Sequence, residues 1–172
     1  MKPYWFIKHP KKIREASDCK DFMNAYNRRH RTHFKLVTAT HERPDCLAVD
    51  TNKNLKLAIE MTMLFDDDNV VKHNLKHADP HKWVRTNLTK QDVYDTVVRK
   101  DKNSFEALPA DWESAKKILV IDIDKAYDTD GLLTTVDEAD IKSLNCKNIE
   151  AVYLFYHGTP GRWEYKEYLT RQ

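Results

Sequence analysis

Arg43-Pro-Asp-Cys-Leu-Ala-Val-Asp50, then Thr51-Asn-Lys-Asn54, then Leu55-Lys-Leu-Ala-Ile-Glu-Met-Thr62 is the stretch on which the reading of this chain turns. Two β-rich runs flank a polar turn, the pattern of a hairpin. Side chains alternate along a strand, so Lys56, Ala58, Glu60 and Thr62 share one face, while Leu55, Leu57, Ile59 and Met61 point into a core. Asp45 opens the first strand and Glu60 sits near the end of the second. Carboxylates on adjacent strands can converge on one hard cation, and Mg²⁺ takes one or two of them while keeping several waters. Glu60 is the more telling acid, because burying it without a cation or hydrogen-bond partner is costly. A plainer reading makes Asp45 a turn residue after Pro44 and places Glu60 on an edge strand with one wet face.

Outward from the hairpin, Phe34 to Thr40 is β-rich. Before it, Asp18 to His30 has helical spacing, with Cys19, Phe22, Met23 and Tyr26 on one face and a start as early as Lys11. Thr89 to Lys102 predicts a helix with a Val93, Val97, Val98 stripe and a Thr89–Asp92 capping pair. Lys117 to Ile123 and Ile149 to Tyr156 are nearly continuous apolar runs, expected of strands covered on both faces, and Thr135 to Leu144 reads as a short helix between them. The order predicts an α/β fold: a single domain over 1–172 with a central mixed β-sheet flanked by helices. Trp163, Tyr165 and Tyr168 then form an aromatic tail that packs back on the domain or stacks on bases.

At 172 residues, 41% hydrophobic and 33% charged, the chain has the composition of a soluble domain, and no apolar run approaches the ~20 residues of a membrane helix. No signal-peptide pattern opens it, so the expectation is a cytoplasmic protein with no membrane contact. Cys19, Cys46 and Cys146 are widely spaced without a CxxC pair, which reads as buried thiols in a reducing compartment. Charge is uneven: residues 1–35 carry +7 and the remainder −5, for the overall +2. Such a basic element suits a polyanion partner, with Lys11, Lys12, Arg14, Arg28, Arg29 and Arg31 as candidate nucleic-acid contacts. A solvated helix face explains the same excess.

Pro44-Asp45, with Ile59-Glu60-Met61-Thr62 following so that Glu60 lies fifteen residues after Asp45, on the second and third strands of an α-β-β-β-α-β order, resembles the PD-(D/E)xK nuclease superfamily and its restriction-endonuclease-like fold. The resemblance covers about residues 12–125, leaving a C-terminal strand and tail over 126–172. It implies a metal-dependent endonuclease that hydrolyses phosphodiester bonds in DNA with Mg²⁺ or Mn²⁺. Asp45 and Glu60 then become metal ligands, with Glu15 as a helix-borne third acid. Thr62 stands at the catalytic position where the family usually has lysine. Lys56 faces the right way but lies four residues from Glu60, ~13 Å at ~3.3 Å per residue, so either a lysine from elsewhere, such as Lys100 or Lys102 of the later helix, supplies the amine or the ions alone lower the pKa of the bound water. The alternative is a catalytically inactive nuclease-fold protein serving as a nucleic-acid-binding or assembly subunit. DNA is the expected partner, with RNA offering the same backbone, and a homodimer or partner subunit would match one active centre to two strands.

Other patterns read as structure. His73, His77 and His81 recur at helical spacing, but Pro80 interrupts them and Lys72, Lys76, Lys82 and Arg85 make the run a basic patch. Asp66 to Asp68 reads as a loop, and the acids from Asp122 to Asp130 miss a calcium-loop pattern because Ala126 occupies a ligand position.

Overall fold

The structure, a computed structural model, describes residues 10–38, 44–64, 88–123, 129–157 and 162–170, with the side chains of the first helix described from Glu15 onward. Expectations for His73, His77, His81 and Asp66 to Asp68 lie outside those residues. The chain builds a mixed six-stranded open sheet in strictly sequential order, β1 Lys35–Thr38, β2 Cys46–Asp50, β3 Leu55–Met63, β4 Lys116–Asp122, β5 Ala151–His157 and β6 Trp163–Leu169. The first three strands run antiparallel, β3, β4 and β5 are mutually parallel, and β6 returns antiparallel. Four α-helices are described: α1 Pro10–His30, α2 Lys90–Asn103, α3 Thr129–Thr135 and α4 Glu138–Ser143. Helix α2 supplies the crossover that two parallel neighbours require.

Each sheet face carries its own core. On one side Phe22, Met23 and Tyr26 of α1 pack on Ile59, Ile118, Val120, Tyr153 and Phe155. On the other, Val93 and Val97 of α2, with Leu132 and Ile141, cover Ala58, Leu119, Ile121 and Leu154. Every core-facing β4 residue from Ile118 to Ile121 is fully buried, as its β-branched run predicts for a strand between two layers.

Three differences from expectation have clear causes. The predicted aromatic tail is a sixth strand: Tyr165 and Tyr168 point to opposite faces and are both buried, so neither ring stands open to a base. The short helix expected over Thr135 to Leu144 forms as α4, but an unexpected one, α3, stands just before it; Asp137 turns extended between them and caps α4 by accepting from the Ala139 N–H at 2.6 Å. Cys19 and Cys46 are disulfide-bonded across α1 and β2, their Cα atoms 6.6 Å apart. Helical spacing on α1 and alternation on β2 turn both inward on the same face, a convergence that a sequence separation of 27 conceals. The argument for a reducing compartment from three thiols therefore falls away; Cys146 is a buried thiol outside the pair.

Asparagines and aspartates do the turning in a chain of three glycines. Asn54 takes φ 50° in the β2–β3 turn, where the Asp50 carboxylate accepts from the main-chain N–H of His33, Asn52 and Lys53. Asn27 ends α1 by donating to the Phe34 carbonyl and accepting from the Phe34 N–H, both at 2.9 Å, while Arg31 takes φ 51°. Asp101, near the end of α2, accepts the main-chain N–H groups of Lys147, Asn148 and Ile149 at 2.8–2.9 Å, locking that helix to the turn before β5. Asp101→Ala strands three donors, each costing about 1 kcal/mol or more. Urea unfolding should show a loss of about 3 kcal/mol, while Asp101→Asn recovers part of it; a loss below about 1 kcal/mol would contradict the lock.

Candidate functional site

The β2–β3 register pairs Cys46 with Ile59, and one further step sets Asp45 opposite Glu60. Alternation assigns Asp45, Leu47 and Val49 to the α2 side of the sheet, the side on which Ala58 and Glu60 lie. The Asp45 side chain takes over where the strand ladder stops: its Oδ2 accepts the Met61 N–H at 2.8 Å. The two sequence-predicted acids are thus brought to one end of the hairpin.

Glu60 is not on a wet edge. Strand β3 is interior, flanked by β2 and β4, and Glu60 is 5% exposed. Lys100 Nζ of α2 donates to Glu60 Oε1 at 2.7 Å, closing a largely buried ion pair. Among the described residues the other carboxylate oxygen, Oε2, is buried with no hydrogen-bond partner, and the same holds for Thr62 Oγ1 two residues along the same face. Orphaned polar atoms of this kind are rare in native interiors and call for a ligand, water or ion. Beside them α2 leaves a pocket lined by Glu60, Arg99, Lys100, Asn103 and Ser104.

Charge accounting explains the behaviour of Asp45. Two carboxylates and one ammonium sum to −1 in a poorly solvated place. The Asp45 carboxyl is accordingly pushed up to about 7, first by burial, then by the Glu60 charge and more weakly by Glu15; the Met61 N–H and Lys100 pull the other way. Glu15, half-buried on α1, thus reaches Asp45 electrostatically from the opposite layer. Among the described residues no three His, Cys, Asp or Glu side chains stand together as a metal-holding group. What the structure assembles is a pair, Asp45 with Glu60, and a pair is what Mg²⁺ commonly takes from protein. The orphaned Glu60 oxygen and the surplus negative charge fit such an ion.

The remaining predicted residues fall elsewhere. Lys56 is spent on Asp111, donating to its carbonyl at 2.5 Å and lying 5.0 Å from the Trp112 ring centre. Arg28 and Arg29 each commit one guanidinium N–H to β6, to the carbonyls of Trp163 at 2.9 Å and Tyr165 at 2.7 Å, so they clamp α1 to the sheet. Arg31 is exposed at the helix end, and the side chains of Lys11, Lys12 and Arg14 lie outside the described residues. Lys100 was legible only as a cation on the next helix; its partner follows from α2 packing. Arg99 and Asn103 carried no sequence signal, because an exposed helix residue looks alike whether it lines a pocket or faces open water. The chain matches no protein-family model, no curated protein and no solved structure. No helix among the described residues is long and apolar enough to cross a membrane.

A carboxyl whose pKa rises on folding is penalised in its charged form. The folded protein keeps a proton on Asp45 that the unfolded chain releases, from about pH 4 up to about 7. In EDTA the wild-type melting temperature should therefore fall across that window relative to Asp45→Asn, which keeps an acceptor for the Met61 N–H but carries no charge. Parallel pH profiles of the two proteins would contradict the buried-charge assignment.

Proposed function

We propose that this protein is a metal-dependent nuclease that hydrolyses phosphodiester bonds in DNA, built on a restriction-endonuclease-like core of α1, β1, β2, β3, α2 and β4. The observation that carries the reading is Glu60: one oxygen on Lys100 and the other buried without a partner, on the sheet end it shares with Asp45. The antiparallel β1–β3 meander followed by a helix and a parallel β4 supports the fold likeness, and the basic N-terminal element supports a polyanionic substrate.

Asp45 and Glu60 are the residues that would hold Mg²⁺ or Mn²⁺, which when bound lowers the pKa of a coordinated water toward neutrality and offsets charge on a phosphoryl oxygen. Asp45 gives up its proton to do so, a transition its raised pKa places near neutral pH. Lys100 brings from α2 the amine that the Thr62 position lacks. Its Nζ, held by Glu60, has two further N–H bonds to direct at a water or a phosphate oxygen. Helix α2 covers the face and limits access of bulk water. Mechanistically this is acid–base and electrostatic assistance at a phosphodiester, which in enzymes is worth ~10²–10⁴ per positioned group.

A second reading has one observation behind it: Thr62 leaves the motif position without a base, and Lys100 already neutralises Glu60. On that reading the protein binds nucleic acid or assembles with a partner subunit and cleaves nothing. Plasmid and single-stranded DNA incubated with Mg²⁺ or Mn²⁺ separate the two. The hydrolase predicts metal-dependent cleavage that falls by about a hundredfold or more in Glu60→Gln and in Lys100→Met. Wild-type inactivity together with salt-sensitive DNA binding would replace it with the binding-only reading, and cleavage unaffected by Glu60→Gln would refute the site.

A further inference from the structure

We propose that the Thr62 hydroxyl supplies a third protein oxygen to the divalent cation proposed for Asp45 and Glu60; this rests on the metal-dependent reading above and adds to it a residue that binds the ion. Thr62 follows Glu60 by two residues on β3, so both side chains leave the same face of the sheet. Between them lies Met61, whose main-chain N–H donates to Asp45 Oδ2 at 2.8 Å. The Asp45 carboxylate is therefore held against the stretch of main chain that Glu60 and Thr62 flank. Each of the two flanking residues is 5% exposed. Among the described residues Glu60 Oε2 and Thr62 Oγ1 are both buried without a hydrogen-bond partner. Two orphaned oxygens thus stand on either side of a fixed carboxylate.

The chemistry of the orphans selects the kind of ligand. An ionised carboxylate oxygen only accepts, so it calls for a cation or a donor. A hydroxyl oxygen has lone pairs of its own, and Ser or Thr hydroxyls bind Mg²⁺ in phosphate-binding loops. No third His, Cys, Asp or Glu joins Asp45 and Glu60 among the described residues, so a further ligand from this face is a neutral one. A neutral oxygen adds coordination without adding to the repulsion between the two carboxylates. As a purely structural residue Thr62 is a poor choice. It pairs with Ile121 on β4 and stands between Met61 and Met63. Valine has the same branched shape, is as apt in a strand and carries no hydroxyl to strip of water.

The test measures cation binding without DNA. Mn²⁺ is titrated into wild type, Thr62→Val, Thr62→Ser and Glu60→Gln, and the free ion is read from its electron paramagnetic resonance signal. Melting temperatures are recorded in parallel, in EDTA and in Mn²⁺. The hydroxyl predicts a Kd about tenfold weaker in Thr62→Val, within about threefold of wild type in Thr62→Ser, and weaker by about tenfold or more in Glu60→Gln. The gain in melting temperature on adding Mn²⁺ should shrink in Thr62→Val and return in Thr62→Ser. In EDTA Thr62→Val should melt no lower than wild type, because it loses a buried hydroxyl that had no partner. Unchanged Mn²⁺ affinity in Thr62→Val, no recovery in Thr62→Ser, or a lower melting temperature of Thr62→Val in EDTA would overturn the role of Thr62. A wild type that binds no Mn²⁺ would overturn it together with the metal-dependent reading. Thr62-dependent Mn²⁺ binding by a protein that cleaves no DNA would remove the hydrolase and keep the ligand; Glu60-dependent cleavage with wild-type Mn²⁺ affinity in Thr62→Val would do the reverse.

Discussion

Two carboxylates and one ammonium share the end of the β2–β3 hairpin beneath α2, and that unbalanced charge constrains the rest of the site. Isolated, a buried Glu60 would be prohibitively costly; paired with Lys100 it is tolerable, because attraction between charges strengthens as water is excluded. Among the described residues Asp45 then has no counter-ion of its own. A proton can neutralise it, at the expense of its ordinary acidity, and the proposed divalent cation would compete for the same place. The elevated Asp45 pKa follows first from burial and then from the Glu60 charge, and the orphaned Glu60 oxygen belongs to the same buried, undercompensated cluster.

Keeping the arrangement in place falls to groups some distance from it. The hairpin register depends on the turn at Asp50 to Asn54, since a one-residue slip would send Glu60 to the α1 side. The angle of α2, and with it the reach of Lys100, depends on Asp101 binding three main-chain N–H groups before β5. The opposite face of the sheet carries scaffold. There the Cys19–Cys46 disulfide ties α1 to β2, and Tyr26, Tyr153 and Tyr165 surround Phe22. Burial, the largest cause for each, keeps those three phenols above their ordinary pKa; Tyr153 donates to Glu167, which also lies near His30 and Lys116.

The sequence made the hairpin, the α2 boundaries and the buried β4 and β5 runs legible because each has a period or cap that local chemistry enforces. Thr89 with Asp92 forms the capping box that their spacing suggests. The pairing of Asp45 with Glu60 could be read from alternation and turn length. Burial of Glu60 on an interior strand could not, since it depends on β4 arriving alongside β3 from more than fifty residues away. Strand β6 was hidden because Trp163 to Leu169 mixes charged and aromatic residues, and only pairing with β5 settles which of them face inward. Arg28 and Arg29 looked like surface charges, and their partners lie about 135 residues along the chain. The cysteine pair was missed for the same reason: long-range contacts leave no local trace.

The account is tested most directly by following the Asp45 side-chain carboxyl carbon by ¹³C NMR as pH is varied, in wild type and in Glu60→Gln, with EDTA and then with Mg²⁺. It predicts a wild-type midpoint near 7 in EDTA, moving down both when the neighbouring charge is removed and when the ion is supplied. A midpoint near the usual carboxylate value in all of these conditions would contradict it.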